Sequence, residues 1–227
     1  MSKNLFCFWT DDNLMPNNRK KALLSLVNTC LDVKFINKDN LSSWILKKHP
    51  LHPAYPYLSA IHRADYLRVY FLHYYGGAYS DIKYINQPWI DAWDMLYTTD
   101  KIGIGYREVG PRGVAKSISM NYLILLKSWR NLLGNGAYIF KRNTEFTTEW
   151  INKTHLVLDE KLPNLILYPA QSPEDYFGRM IIGKIRSKYP LRWSELLGNV
   201  FHPLCLKYSS NLLYDLPAPD FKINYDI

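Results

Sequence analysis

Cysteine is scarce in this sequence. Cys7, Cys30 and Cys205 stand far apart, and no Cys-x-x-Cys pair occurs. That pattern excludes a thiolate zinc site and a disulfide framework, and it points to a reducing, cytoplasmic setting. Long apolar runs are also missing. The opening "LFCFW" is too short for a signal peptide, and nothing reaches the roughly 18 residues of a transmembrane segment. There are no repeats, low-complexity tracts or linkers, so one domain over 1–227 is expected. Acidic residues are few: 20 Asp and Glu against 28 Lys and Arg, for a net charge of +8. A basic balance favours anionic partners, namely nucleic acid, an anionic membrane or a phosphorylated small molecule, or it serves solubility alone. The charge is scattered. Arg19-Lys20-Lys21 and Lys47-Lys48 look like solvated helix faces. No RNP, zinc or helix-turn-helix signature accompanies them, so no nucleic-acid partner is expected.

Aromatic residues are abundant, with 18 Tyr and 7 Trp, and the hydrophobic fraction is 48%. This excludes a disordered chain and supplies a core, with rings to spare for a flat ligand. "LFCFW" (5–9) is a short continuous apolar run, as a buried parallel strand requires. "NNRKKALLSLVNTCL" predicts an amphipathic helix with Ala22, Leu23, Leu26, Val27 and Cys30 on one face. "VKFIN" predicts a second strand, "LSSWILKKH" a short helix, residues 58–75 a long helix, and "AYSDI" a third strand. The order β-α-β-α-α-β implies a parallel, doubly wound half with ligands at the carboxyl ends of its strands. Trp9 to Asp12 and Asp81 would then share one crevice. Further on, "KIGIGYRE" and "NGAYIFKRN" look like strands, although Gly134–Tyr138 also fits a plain turn. Helices are expected over 144–162, with Thr144 as its start, and over 172–189, capped by Ser172. Residues 114–129 fit either strand or helix.

The chemistry concentrates in "SAIHRADYLRVYFLHYYGGAYSDIK" (59–83). Asp65 and Arg68, three apart, share a helix face amid Tyr66, Leu67, Val69, Tyr70, Phe71 and Leu72. A buried acid and base there must pair with each other or contact a ligand. Gly76-Gly77 ends the helix with a sharp turn into the strand. A carboxylate at the end of that strand can hold a divalent ion or the hydroxyls of a ribose or sugar.

This stretch resembles the DXD-type glycosyltransferases of the GT-A fold. The similarity is greatest to the sugar-binding region shared by family 32 enzymes, capsular polysaccharide synthesis proteins and clostridial glucosylating toxins. It rests on Ala60 or Ala64, Asp65, Arg68, Tyr75, Gly76, Gly77, Tyr79 and Asp81, with Trp9 closing the first strand. It covers about residues 3–10 and 57–90. The resemblance implies an α/β, Rossmann-like GT-A domain with a mostly parallel central sheet flanked by helices. Residues 1–90 would form the nucleotide-sugar half and 91–227 the acceptor half. Trp9, Thr10, Asp11, Asp65, Arg68, Gly77 and Lys83 would bind the donor. Asp81 would hold donor hydroxyls and an Mn²⁺ or Mg²⁺ ion. His202, beside Pro203, is similar to a family loop that closes over the diphosphate and would be a further ligand.

One departure matters. The second motif acid is replaced by Lys83, and an ammonium cannot ligate a cation. Three readings follow. Asp81 binds metal with help from Asp11, Asp12, Asp91, Asp94 or His202; Lys83 substitutes for the metal's charge; or the site is inactive. Glu174 and Asp175, in "PEDYF", serve either a helix dipole or as general base for an acceptor hydroxyl. His49 and His52 lie in a proline-rich loop and are read as structural. The expected function is transfer of a sugar from a nucleotide-diphosphate sugar, a UDP-sugar, to a glycan or glycoprotein hydroxyl. The small size resembles cytosolic enzymes of bacterial polysaccharide pathways and those with which large algal viruses decorate their capsid protein in the host cytoplasm. The alternative is a nucleotide-sugar-binding module without turnover.

Overall fold

The computed structural model describes residues 2–116, 121–180 and 185–226. Its centre is a six-stranded sheet of order β2-β1-β3-β5-β4-β6. The strands are β1 (Asn4–Trp9), β2 (Asp32–Asn37), β3 (Gly77–Ser80), β4 (Gly103–Arg107), β5 (Leu133–Phe140) and β6 (Leu212–Leu213). β1 runs parallel to β2 and β3, and β4 parallel to β6, whereas β5 is antiparallel to both of its neighbours. The architecture is thus α/β with a mostly parallel sheet, as the resemblance implies.

Period-two alternation explains why these strands are apolar throughout. Phe6, Phe8, Tyr79, Tyr138 and Phe140 face one core, and Leu5, Cys7, Ala78, Ala137 and Ile139 face the other. The first core is covered by α3 (Ala60–Tyr74), α6 (Glu145–Leu167) and α7 (Gly198–Lys207). The second is covered by α1 (Asn17–Ser25) and α4 (Ile90–Tyr97). Among the described residues a one-turn helix α2 (Leu41–Trp44) and a short α5 (Asn121–Lys127) complete the set. Among the described residues no helix is long and apolar enough to cross a membrane.

The turn into β3 is fixed by backbone. Gly76 and Gly77 both have positive φ, +67° and +108°. A Cβ would come within 2.8 Å of the Arg142 amide at Gly76 and of the Asn4 carbonyl at Gly77. Only glycine meets both demands. The Thr144 side chain accepts from the Thr147 amide at 3.2 Å, starting α6 where the sequence places it.

Several expectations change. The first helix tightens into a 3₁₀ turn at Leu26–Thr29, so the 100° spacing fails beyond it, leaving Val27 and Cys30 exposed. "LSSWILKKH" keeps only one helical turn, because Ile45 is extended. Residues 172–180 are turns rather than a helix: Asp175 and Arg179 donate to carbonyls three residues back, and Gly178 has φ +79°. The rest of that expected helix includes 181–184, outside the described residues. The 133–140 segment is strand, not turn. Of the undecided stretch, 121–127 is helical, and 117–120 lie outside the described residues.

Candidate active site

The carboxyl ends of β1 and β3 open onto a cleft of about 830 Å³. Trp9, Thr10 and Asp11 line one wall, following directly from β1. Asp65 and Arg68, from the first turns of α3, form the floor with Tyr79 and Asp81. Residues 112–116, Asn135 and residues 192–194 close the far side.

Arg68 organises the floor. Its Nη2 lies 3.1 Å from Asp65 Oδ1 and 3.7 Å from Asp81 Oδ1. Its Nη1 donates to the Asn135 carbonyl at 2.8 Å, and its guanidinium stacks over Tyr79 at 4.5 Å. Asp65 and Arg68 are both nearly inaccessible. Burial pushes the Asp65 carboxyl above the usual carboxylate range, against the pull of Arg68 beside it. Asp81 behaves oppositely. Burial would raise it, but the charges of Lys83 and Arg68 and the Tyr79 hydroxyl outweigh burial and bring it down to about 2.

Asp81 sits one residue beyond β3, not within it. Its amide donates to the Gly136 carbonyl at 2.8 Å, and the Lys83 amide then donates back to the Asp81 carbonyl at 2.7 Å. This tight turn, rather than strand pleating, brings the two side chains together. Lys83 Nζ bonds Asp81 Oδ2 at 3.0 Å, and Tyr79 Oη donates to Oδ1 at 2.7 Å. The 220–226 segment braces the turn. Tyr225 Oη accepts from the Tyr84 amide at 2.9 Å, and Lys83 Nζ lies 5.5 Å from the Phe221 ring and 5.7 Å from Tyr225.

Trp9, Thr10, Asp11, Asp65, Arg68, Asp81, Lys83 and Glu174 therefore share the cleft. Gly77, at the opposite end of β3 from Asp81, is a turn residue and does not line it. Asp175 does not line it either: the side chain is buried and accepts from the Gln171 amide at 2.9 Å. His202 lies inside α7, wholly buried, accepting from the Ala115 amide at 3.2 Å, rather than in a closing loop. Asp12 pairs with Lys38 and Asp94 with Lys3; neither they nor Asp91 reach the cleft. Both Asp81 oxygens are engaged by Lys83 and Tyr79. Among the described residues no three His, Cys, Asp or Glu come close enough to share an ion. The residues present do not fit an Mn²⁺ or Mg²⁺ shell, and no step is assigned to a metal.

Sequence reasoning missed Arg19 and Asn135. Arg19 is no solvated face: it lines the cleft, donates to the Ile82 carbonyl at 3.2 Å and stacks on Tyr225 at 5.2 Å. Asn135 lines the cleft with a side-chain oxygen that has no hydrogen-bond partner among the described residues. The signal for it was a lone polar residue in an otherwise apolar strand.

The cleft thus sets carboxylates and cations side by side at the carboxyl edge of a parallel sheet half, where α/β sheets present their ligand sites. Residues 5–100, rather less than half of the chain, match the family described as the glycosyltransferase sugar-binding region containing the DXD motif. The recognised resemblance is thus that of a DXD-type glycosyltransferase. No curated protein matches the chain. Among solved structures, the PaToxG Glycosyltransferase is similar at 12% identity and a TM-score of 0.42, over 73% of this chain. The chain spans 64% of that neighbour's length.

Proposed function

We propose that this chain is a glycosyltransferase that binds a UDP-sugar in the cleft and passes the sugar to a hydroxyl of a glycan or glycoprotein. One observation carries the reading. Two cations, Arg68 and Lys83, are held at the strand-end carboxylate Asp81 and share a cleft with Trp9. Trp9 stacks on the base. Asp65 and Asp81 accept from ribose or sugar hydroxyls. Lys83 and Arg68 face the diphosphate, whose negative charge grows as the bond to the sugar breaks. The acceptor oxygen bonds to the anomeric carbon, and the electron pair of the breaking C–O bond leaves with the diphosphate. The hydroxyl proton passes to Glu174, the one of the two candidate bases that lines the cleft. All 227 residues act as one domain: residues 1–90 hold the donor, and the later residues supply the acceptor wall. The buried thiols of Cys7 and Cys205 and the exposed one of Cys30 support a reducing, cytoplasmic setting.

A second reading, a binding module without turnover, draws on the same Lys83–Asp81 pair, which engages the motif carboxylate. Calorimetry with UDP, GDP and their sugars, run beside a hydrolysis screen with and without chelator, separates the two. Binding with no hydrolysis or transfer supports the module. No binding of any nucleotide sugar overturns both.

A further inference from the structure

Residues 176–180 and 185–193 supply no reacting group to the chemistry above, although Arg179 pairs with Glu174 and Arg192 and Trp193 edge the cleft. The two described stretches pair with each other beside the cleft mouth. Gly178 donates to the Ser187 carbonyl at 3.3 Å, Ser187 to the Arg179 carbonyl at 2.8 Å, and Phe177 to the Leu191 carbonyl at 2.7 Å; Met180 and Arg186 form a bridge. Ser187, Tyr189 and Leu191 point inward and are buried, so Arg186 and Lys188 point out.

The outward surface combines two features that rarely coincide on a soluble face. Phe177, Met180, Ile185 and Trp193 are each more than half exposed. Between Tyr176 and Trp193 there is no Asp or Glu, while Arg179, Arg186, Lys188 and Arg192 are all present. Only Arg179 among these four pairs with a carboxylate of the described residues, that of Glu174 at 2.7 Å. Arg192 lies 5.7 Å from the Phe177 ring, and Lys188 lies 5.5 Å from the ring of Tyr168, next to exposed Ile166 and Leu167 at the end of α6.

We infer that this face docks on an anionic lipid bilayer, with the mouth of the cleft turned to the membrane surface. Aliphatic Met180 and Ile185 offer nothing to a soluble acidic glycan but gain from entering the acyl boundary. Trp193 suits the headgroup level, and the unpaired cations suit anionic headgroups. Contact is interfacial, since among the described residues no helix can span a bilayer.

The inference stands apart from the transferase reading, and its affinity variants use residues outside the cleft; Trp193, at the cleft edge, serves only as the lipid-quenching reporter. The full chain is floated with phosphatidylcholine vesicles and with mixed phosphatidylcholine–phosphatidylglycerol vesicles. Wild type is expected to float only with the mixed vesicles and to be released by salt. Met180→Ser/Ile185→Ser should weaken vesicle affinity about tenfold by loss of apolar insertion. Arg186→Glu/Lys188→Glu should weaken it by roughly tenfold or more. Both should keep the wild-type thermal melt and UDP affinity. Should the charge-reversed protein not fold, brominated lipids still report: they should quench wild-type fluorescence, and a Trp193→Phe protein should lose that quenching. Absence of flotation overturns the inference. So does flotation unaffected by Met180→Ser/Ile185→Ser, or binding of a soluble acidic polysaccharide, but not of vesicles, that these substitutions abolish.

Discussion

Lys83 Nζ lies 3.0 Å from Asp81 Oδ2, so the residue in place of the second motif acid neutralises the first instead of reinforcing it. Removing it should be felt by the donor. Lys83→Ala is expected to weaken UDP binding by about 1.5–3 kcal/mol, the range for a hydrogen bond to a charged group. Chelator should leave wild-type affinity and turnover largely intact. Calorimetry of the two proteins with and without EDTA checks both points; unchanged UDP affinity in Lys83→Ala sinks the role given to the lysine.

Asp65 and Arg68 should separate under mutation. Arg68→Ala removes the cation that faces Asp65 and Asp81 and the Asn135 carbonyl, and should cost roughly 3–5 kcal/mol in urea unfolding. Asp65→Asn keeps shape and should fold, yet lose donor binding. A folded Asp65→Asn protein with normal turnover would show the pair to be structural only.

The two carboxylates also predict opposite pH effects on stability. Asp81 is depressed in the folded state, so its contribution is present above the ordinary value near 3.9 and lost as pH falls through about 2. Asp65 is raised, so the folded state retains its proton longer. Stability should therefore decline as pH rises from the ordinary carboxylate value through the raised one. Urea midpoints across mildly acidic to mildly alkaline pH should show that decline in wild type and a flatter profile in Asp65→Asn. Equal slopes would contradict it.

Trp9→Ala should weaken nucleoside diphosphate binding by about 1–3 kcal/mol, by analogy with base–aromatic stacking. Equal affinity in both proteins removes Trp9 from the base site.

Glu174→Gln should reduce turnover by about 10²–10⁴-fold while leaving UDP affinity unchanged, as loss of a general base does. Single displacement with that base inverts the anomeric centre. NMR of the product anomer decides, and a retained product removes Glu174 from this role.

The first half of the fold was legible because its signals are local. The apolar run 5–8, the glycine pair and the buried Asp65–Arg68 spacing each follow from a few neighbouring residues. Asp81 and Lys83 meet through a tight turn beyond β3, which the neighbouring residues alone do not reveal. What escaped depends on distant partners. Arg19 reads as one of three basic residues on a surface helix until the Ile82 carbonyl and Tyr225 claim it. Asp175 reads as a helix-start acid, but residues 172–180 are turns and its buried side chain accepts from the Gln171 amide. His202 beside Pro203 suggests a loop, yet α7 runs through that proline.

The position of β5 between β3 and β4 also has a temporal side. As the chain emerges from a ribosome, β1, β2 and β3 can pair at once, but β3 then presents a bare edge. Its proper neighbour is complete only at Phe140, and β4, made earlier, cannot substitute because it pairs with β5 rather than β3. At about 5–20 residues per second that edge waits roughly 3–12 s. For that interval the nascent chain exposes an unpaired strand and an Arg68 still lacking the Asn135 carbonyl, a state in which a holdase or a neighbouring nascent chain competes for the same backbone groups.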